Sequence, residues 1–296
     1  MLYLFPLITV SIWAGNAIVN KMAFSVIDPG AISFYRWFFA MLVLTPFMAK
    51  SVWKARNTIK PYLPKIAFLA FLGMVLNQSL GYFAAETTTA TNMALIVSLV
   101  PLISMFISVP LLNKRLTPLA IVGAILSLAG LVLMLSHGDL NQLLAQGINK
   151  GDMLVLIAAF VYALYCVLLK RWDLPLSNWQ SVYSQGVLAV IMLTPMLLTS
   201  ERMTITPEAL PLIMYAAIPA SVIAPWCWLQ GIQRLGADST AMFMNLMPMM
   251  TAVIASIALG EQLAIYHYIG GLMVLSGVAM AQRKRAETKP IELATA

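Results

Sequence analysis

Residues 90–135 read ATNMALIVSLVPLISMFISVPLLNKRLTPLAIVGAILSLAGLVLML, two apolar runs hinged at Asn113-Lys114-Arg115. Residues 237–282, 147 positions later, read ADSTAMFMNLMPMMTAVIASIALGEQLAIYHYIGGLMVLSGVAMAQ. Without a gap, Ala94 falls on Ala241, Pro101 on Pro248, Leu112 on Leu259, Gly123 on Gly270 and Gly130 on Gly277. A mid-run proline and a spaced glycine pair that recur together mark a duplicated unit. The earlier parts of the chain repeat at an offset of 149: Leu44-Thr45-Pro46 returns as Leu193-Thr194-Pro195, Ala40 as Ala189 and Lys21 as Lys170. On that offset Trp13 corresponds to Tyr162 and Arg36 to Gln185.

Of 296 residues, 61% are hydrophobic and 10% charged, and the mean hydropathy is +0.86. A soluble domain needs far more charge to cover its surface, so the chain reads as an all-α integral membrane protein. Its partners are then a lipid bilayer and a small-molecule substrate. The net charge of +7 does not point to nucleic acid, because the basic residues sit in short connections. Ten apolar runs of bilayer-crossing length are expected at 2–25, 30–49, 65–86, 91–112, 117–136, 152–170, 178–198, 209–232, 238–259 and 264–282.

The even-numbered connections and the C-terminal tail hold Lys50, Lys54, Arg56, Lys60, Lys65, Lys114, Arg115, Lys170, Arg171, Arg234, Arg283, Lys284, Arg285 and Lys289. The odd-numbered ones hold Lys150 and Arg202. Positive charge stays cytoplasmic, which places both termini in the cytoplasm of a multi-pass protein of the cell (inner) membrane. Five spans is an odd number, so the second half enters the bilayer upside down, as an inverted-topology repeat. The expected divisions are a first five-helix repeat over 1–136, an extracytoplasmic linker over 137–151, a second repeat over 152–282 and a cytoplasmic tail over 283–296. Nothing in the sequence sets the oligomeric state, and a monomer suffices.

The run Trp13-Ala14-Gly15-Asn16 in the first helix, Arg36 in the second, and a repeated Ala–x6–Pro helix followed by a glycine helix together resemble the EamA family of the drug/metabolite transporter superfamily. The resemblance covers nearly the whole chain. It implies a secondary transporter that exports amino acids, other metabolites or cationic drugs, with no cofactor. The family shows a glutamate just after the proline helix of each half. Glu261 keeps it, whereas Lys114 stands in the first half, so the two positions do not share one chemical role.

Polar groups at membrane depth face a bundle interior or a wet cavity. Trp13, Asn16 and Asn20 share one face of the first helix. With Asn77, Tyr82, Tyr162, Tyr165, Trp226 and Asn245, Trp13 and Asn16 form the candidate substrate-binding set, although asparagines also serve to bond neighbouring helices. Methionines crowd Asn245 and Pro248, as on surfaces that accept several ligands. Pro101 and Pro248 interrupt the backbone ladder and are candidate hinges. Arg36 either draws a substrate carboxylate or holds the second helix against a neighbour, and Lys21 is expected to reach toward Asp28. The glycine pairs are expected to let helices pack closely.

A pump is disfavoured, since the chain carries no G-x-x-x-x-G-K-[ST] phosphate loop. An enzyme is disfavoured too, since no paired carboxylates or H-E-x-x-H helix occur, and Cys166 and Cys227 have no metal-ligand spacing. Three readings remain: an amino-acid exporter, the aromatic ones included, that works by alternating access; a multidrug or quaternary-cation exporter of the same fold; and a membrane sensor that binds without transporting.

Overall fold

The structure, a computed structural model, describes residues 3–113, 116–139, 148–235 and 242–282. Every regular element among the described residues is helical. We label them α1 (Leu4–Ala23), α2 (Pro29–Lys54), α3 (Arg56–Ala84), α4 (Ala90–Leu112), α5 (Pro118–Leu135), α6 (Lys150–Trp172), α7 (Asn178–Leu198), α8 (Ala209–Gly231), α9 (Met247–Leu259) and α10 (Ile265–Gln282). The last helical segment of α8 runs on to Leu235. Seven of these, α2 to α8, are long and apolar enough to cross a membrane, while α9 and α10 are shorter apolar helices. Asn16, Asn20 and Lys21 dilute the apolar character of α1.

The helices pair in a reciprocal pattern. α5 packs along α10 and α2 along α7, α1 meets α8 and α9, and α6 meets α3 and α4. If α1 to α5 are matched in order with α6 to α10, each of these contacts maps onto another or onto itself.

The α5–α10 seam shows the physical cause. Gly123 lies against the backbone of Gly277 and Gly130 against that of Gly270, which makes the two helices antiparallel. A Cβ on Gly130 would stand 2.6 Å from the Gly270 carbonyl oxygen, and one on Gly270 would stand 2.7 Å from that of Gly130. Only hydrogen in place of a side chain allows this approach. Ser127 adds a hydrogen bond to the Val274 carbonyl at 3.1 Å. The expectation of close packing at the glycine pairs thus has a concrete form: each pair meets the other.

Helices α3 and α8 carry matching irregularities. Each contains a short π-helical turn, Phe71–Leu76 in α3 and Pro219–Ile223 in α8. Such turns misalign the backbone ladder and free carbonyls. Trp37 Nε1 donates to the Met74 carbonyl at 3.1 Å, and Trp13 Nε1 donates to the Ala220 carbonyl at 3.2 Å.

The proline positions of α4 and α9 also match. α4 consists of Ala90–Val97 followed by Val100–Leu112 with Pro101 in its first turn. α9 follows a 3-10 turn at Met242–Leu246 and carries Pro248 in its first turn. A first-turn proline has no lost hydrogen bond to answer for, so the break lies just before each proline. Both helices end on a left-handed residue, Asn113 at φ 52° and Gly260 at φ 67°, positions 147 apart. Asparagine and glycine are the residues that tolerate this cap.

The bundle has two ends. One holds the α1–α2, α3–α4 and α7–α8 connections and is called the Asp28 end. The other holds the α2–α3 and α6–α7 connections and is called the Trp172 end.

Candidate functional site

Between the two ends, α1, α2, α3, α4 and α6 and the α9 entrance enclose a cavity of about 180 Å³. Trp13, Asn16 and Asn20 reach it from α1, Arg36 from α2, Asn77 and Gln78 from α3, and Tyr162 from α6. Its apolar wall comes from Met93, Val97, Val155, Met244 and Met247 among others. The α1 asparagines point inward together because they are one turn apart: Asn16 Nδ2 donates to Asn20 Oδ1 at 3.3 Å. Asn16 Oδ1 is buried and has no hydrogen-bond partner among the described residues. An unmade bond of that kind costs stability and leaves an acceptor in the wall.

Arg36 is 4% exposed. Its Nε donates to Ser221 Oγ at 2.8 Å, and a longer contact of 3.5 Å runs from its terminal nitrogen to the Tyr82 hydroxyl. Ser221 sits in the π turn of α8 and donates in turn to the Ala216 carbonyl at 2.8 Å.

Of the residues singled out in the sequence, Trp13, Asn16, Asn77, Tyr162 and Arg36 meet at this cavity. Tyr82 is buried but stands behind Arg36, outside the lining. Tyr165 stacks on Tyr162 with ring centroids 5.6 Å apart and faces a second cavity, of about 380 Å³, which it shares with Trp13, Gln185 and Trp228. Trp226 is placed differently from the expectation. It is 44% exposed, meets Phe5 edge to face and lines neither cavity, because its neighbour Trp228 takes the inward face of α8 against Trp13. The Asn245 side chain lies outside the described residues. Pro101 and Pro248 stand where their helices break, as described above. Asn20 and Met244 join the lining from stretches the sequence had marked, and Gln78 joins it beside Asn77. Ser221 gave no sequence signal, since its position depends on the π turn.

The second cavity extends toward the Trp172 end, where Leu169, Asp173, Leu176 and Asn178 line it. At the Asp28 end, polar bonds join the helices beside a further cavity of about 530 Å³ that Lys21, Thr89 and Glu261 line. Lys21 Nζ donates to the carbonyls of Ala85 at 2.6 Å and Thr88 at 2.8 Å. This corrects the expectation that it reaches Asp28, whose partner is Arg202 at 2.9 Å. The Arg202 backbone N–H, with the guanidinium behind it, holds the Asp28 carboxyl below its ordinary pKa. Glu261 accepts from the backbone N–H of Ala90 at 2.7 Å and of Thr91 at 3.2 Å, and from the Thr91 hydroxyl at 2.7 Å. A carboxylate there both caps the α4 N-terminus and meets its dipole. That accounts for the glutamate after α9. Its counterpart position, Lys114, lies outside the described residues. Thr88 and Asn92 bind the Asp152 carboxylate, and Asn149 donates to the Thr87 carbonyl at 2.8 Å.

Comparison with known proteins agrees with this architecture. An uncharacterized transporter of Archaeoglobus fulgidus is 30% identical over 94% of this chain and 96% of its own. An S-adenosylmethionine uptake transporter of Rickettsia prowazekii is 23% identical over 74% of this chain and 69% of its own. A solved crystal structure superposes with a TM-score of 0.62 at 17% identity, covering 95% of each chain, which speaks for the fold alone. The profile of the EamA-like transporter family matches residues 1–136 and 149–282. The chain is therefore a multi-pass membrane transporter that belongs to the EamA-like transporter family.

Proposed function

We propose that this transporter is a secondary carrier that exports small metabolites, amino acids with apolar or aromatic side chains foremost, by alternating access around the central cavity. One observation carries the reading: a polar, aromatic and cationic set from both halves of the chain converges on one cavity inside the bundle, nearer its Asp28 end. The reciprocal helix pairing, the matched π turns and the meeting of the glycine pairs support ten spans in two inverted five-helix repeats. Two such halves can pack in two related ways, one open to each side. With both termini cytoplasmic, the Trp172 end faces the cytoplasm. We read the described arrangement as the inward-facing one, with polar ties between helices at the Asp28 end, beside a further cavity of about 530 Å³, and the second cavity at the other end.

The relatives named as S-adenosylmethionine uptake transporters favour a second reading, in which the solute is a larger amino-acid derivative and the net direction is inward. The quaternary-cation reading is the weaker one, because the described lining holds Arg36 and no carboxylate.

Counterflow in proteoliposomes tests the function. Liposomes loaded with unlabelled phenylalanine or leucine should transiently concentrate the labelled amino acid from outside. Equal label in protein-free liposomes, across amino acids and S-adenosylmethionine, would exclude a carrier and leave the sensor reading.

A further inference from the structure

Arg36 brings a full positive charge to the wall of the central cavity, 4% exposed. Its hydrogen-bond partners are two neutral hydroxyls, Ser221 at 2.8 Å and Tyr82 at 3.5 Å, and its guanidinium carbon stands 6.0 Å from the centroid of the Trp37 ring. Among the described residues no carboxylate pairs with it or lines the cavity. A guanidinium has five N–H donors in a planar fork, so the two hydroxyls leave most of its donors unused, and the Trp37 ring face is a weak substitute for a counter-anion. Removing a cation from water is unfavourable unless an anion or further acceptors answer it. The Ser221 contact is anchored to the Ala216 carbonyl, so the side chain is held in one orientation before any solute arrives. The wall also offers Asn16 Oδ1, a buried acceptor with no donor among the described residues, and an apolar surface from Met93, Val97 and Met247.

From this arrangement we infer that Arg36 is the anion-binding pole of the cavity, and that the transported solute carries a carboxylate which it places on Arg36. Asn16 is suited to take an N–H from the solute's ammonium, and the methionine and valine wall to cover its side chain. The inference rests on the reading of this cavity as a solute site and narrows it to carboxylate-bearing solutes. A carboxylate on a guanidinium forms paired, charge-assisted bonds that an amide or ester cannot match, while a cationic amine without an acid group meets repulsion.

Binding to the purified protein in detergent, read by thermal unfolding and by titration calorimetry, tests this directly. The probes are phenylalanine, 3-phenylpropionate, phenylalaninamide and phenethylamine, with leucine, 4-methylpentanoate, leucinamide and isopentylamine as a second set. In at least one set the two acids should bind about 10- to 100-fold more tightly than the amide and amine. Arg36→Gln should remove that preference and Arg36→Lys should keep part of it. Amines or amides that bind as tightly as the acids, an absence of binding by any acid, or an unchanged preference in a folded Arg36→Gln protein would each overturn the inference. If Arg36→Gln does not fold, the order of affinities in the wild-type protein decides alone. Acid binding without counterflow contradicts the carrier and leaves the anion pole standing; counterflow of amines alone does the reverse.

Discussion

Trp13 is the residue on which the two cavities meet, since it lines both. Its ring is held by the free carbonyl of the α8 π turn and by Trp228, 5.6 Å away. Trp226, two positions from Trp228, faces outward and touches neither cavity. The pair therefore separates a role in transport from a role in packing. Trp13→Ala should cut counterflow about 3- to 10-fold, the cost of one lost aromatic contact, with normal amounts of folded protein. Trp226→Ala should leave flux near wild type. Equal losses in both variants would show that the ring at position 13 serves only packing. In the sequence Trp226 and Trp228 look alike, because they sit two positions apart inside the apolar run of α8. Which of Trp226 and Trp228 points inward depends on the phase of α8, and the π turn at Pro219–Ile223 resets that phase in a way no helical periodicity reveals.

At the scale of elements, the repeated glycines and prolines were the legible part. Gly123, Gly130, Gly270 and Gly277 announced close packing, and the structure adds that each pair is the other's partner. Gly123→Val or Gly277→Val should force α5 and α10 apart and destabilise the bundle by about 1–3 kcal/mol or more, measured as denaturation in detergent. Gly260, which has open space around it but a positive φ, should lose only about 1 kcal/mol on change to alanine. If position 123 tolerates valine as well as position 260 tolerates alanine, the seam is not as drawn. The prolines act differently. Pro101 and Pro248 open helical segments just beyond a break in α4 and at the start of α9, so the flexible point is the break and the proline fixes where it lies. We expect Pro101→Ala and Pro248→Ala to change counterflow rate more than half-saturation, since a continuous helix resists bending. Unchanged rates in both would remove the hinge role. The polar ties at the Asp28 end were not legible, because Thr88 and Asn92 at the α4 N-terminus meet Asp152 of α6 only through an alignment that exists in the folded bundle.

For the whole molecule, the two halves agree in pairing and differ in chemistry. Arg36 corresponds in the repeat to Gln185 and Glu261 to Lys114, so two related packings need not be equally stable. Glu261 on the α4 N-terminus and Lys21 on the α3–α4 carbonyls both join helices at the Asp28 end, and breaking such a tie should shift the population toward the other packing. The central claim is that one cavity opens to each side in turn. It is tested most directly by a cysteine at Ala158, which lines the cavity, in a Cys166→Ser, Cys227→Ser background, with a membrane-impermeant thiol reagent applied to each face of sealed vesicles. The account predicts reaction from the cytoplasmic face in the parent, slower reaction from the opposite face, and a shift toward that opposite face when Glu261→Gln is added. Reaction confined to one face in both proteins, or rates that ignore Glu261→Gln, would contradict it.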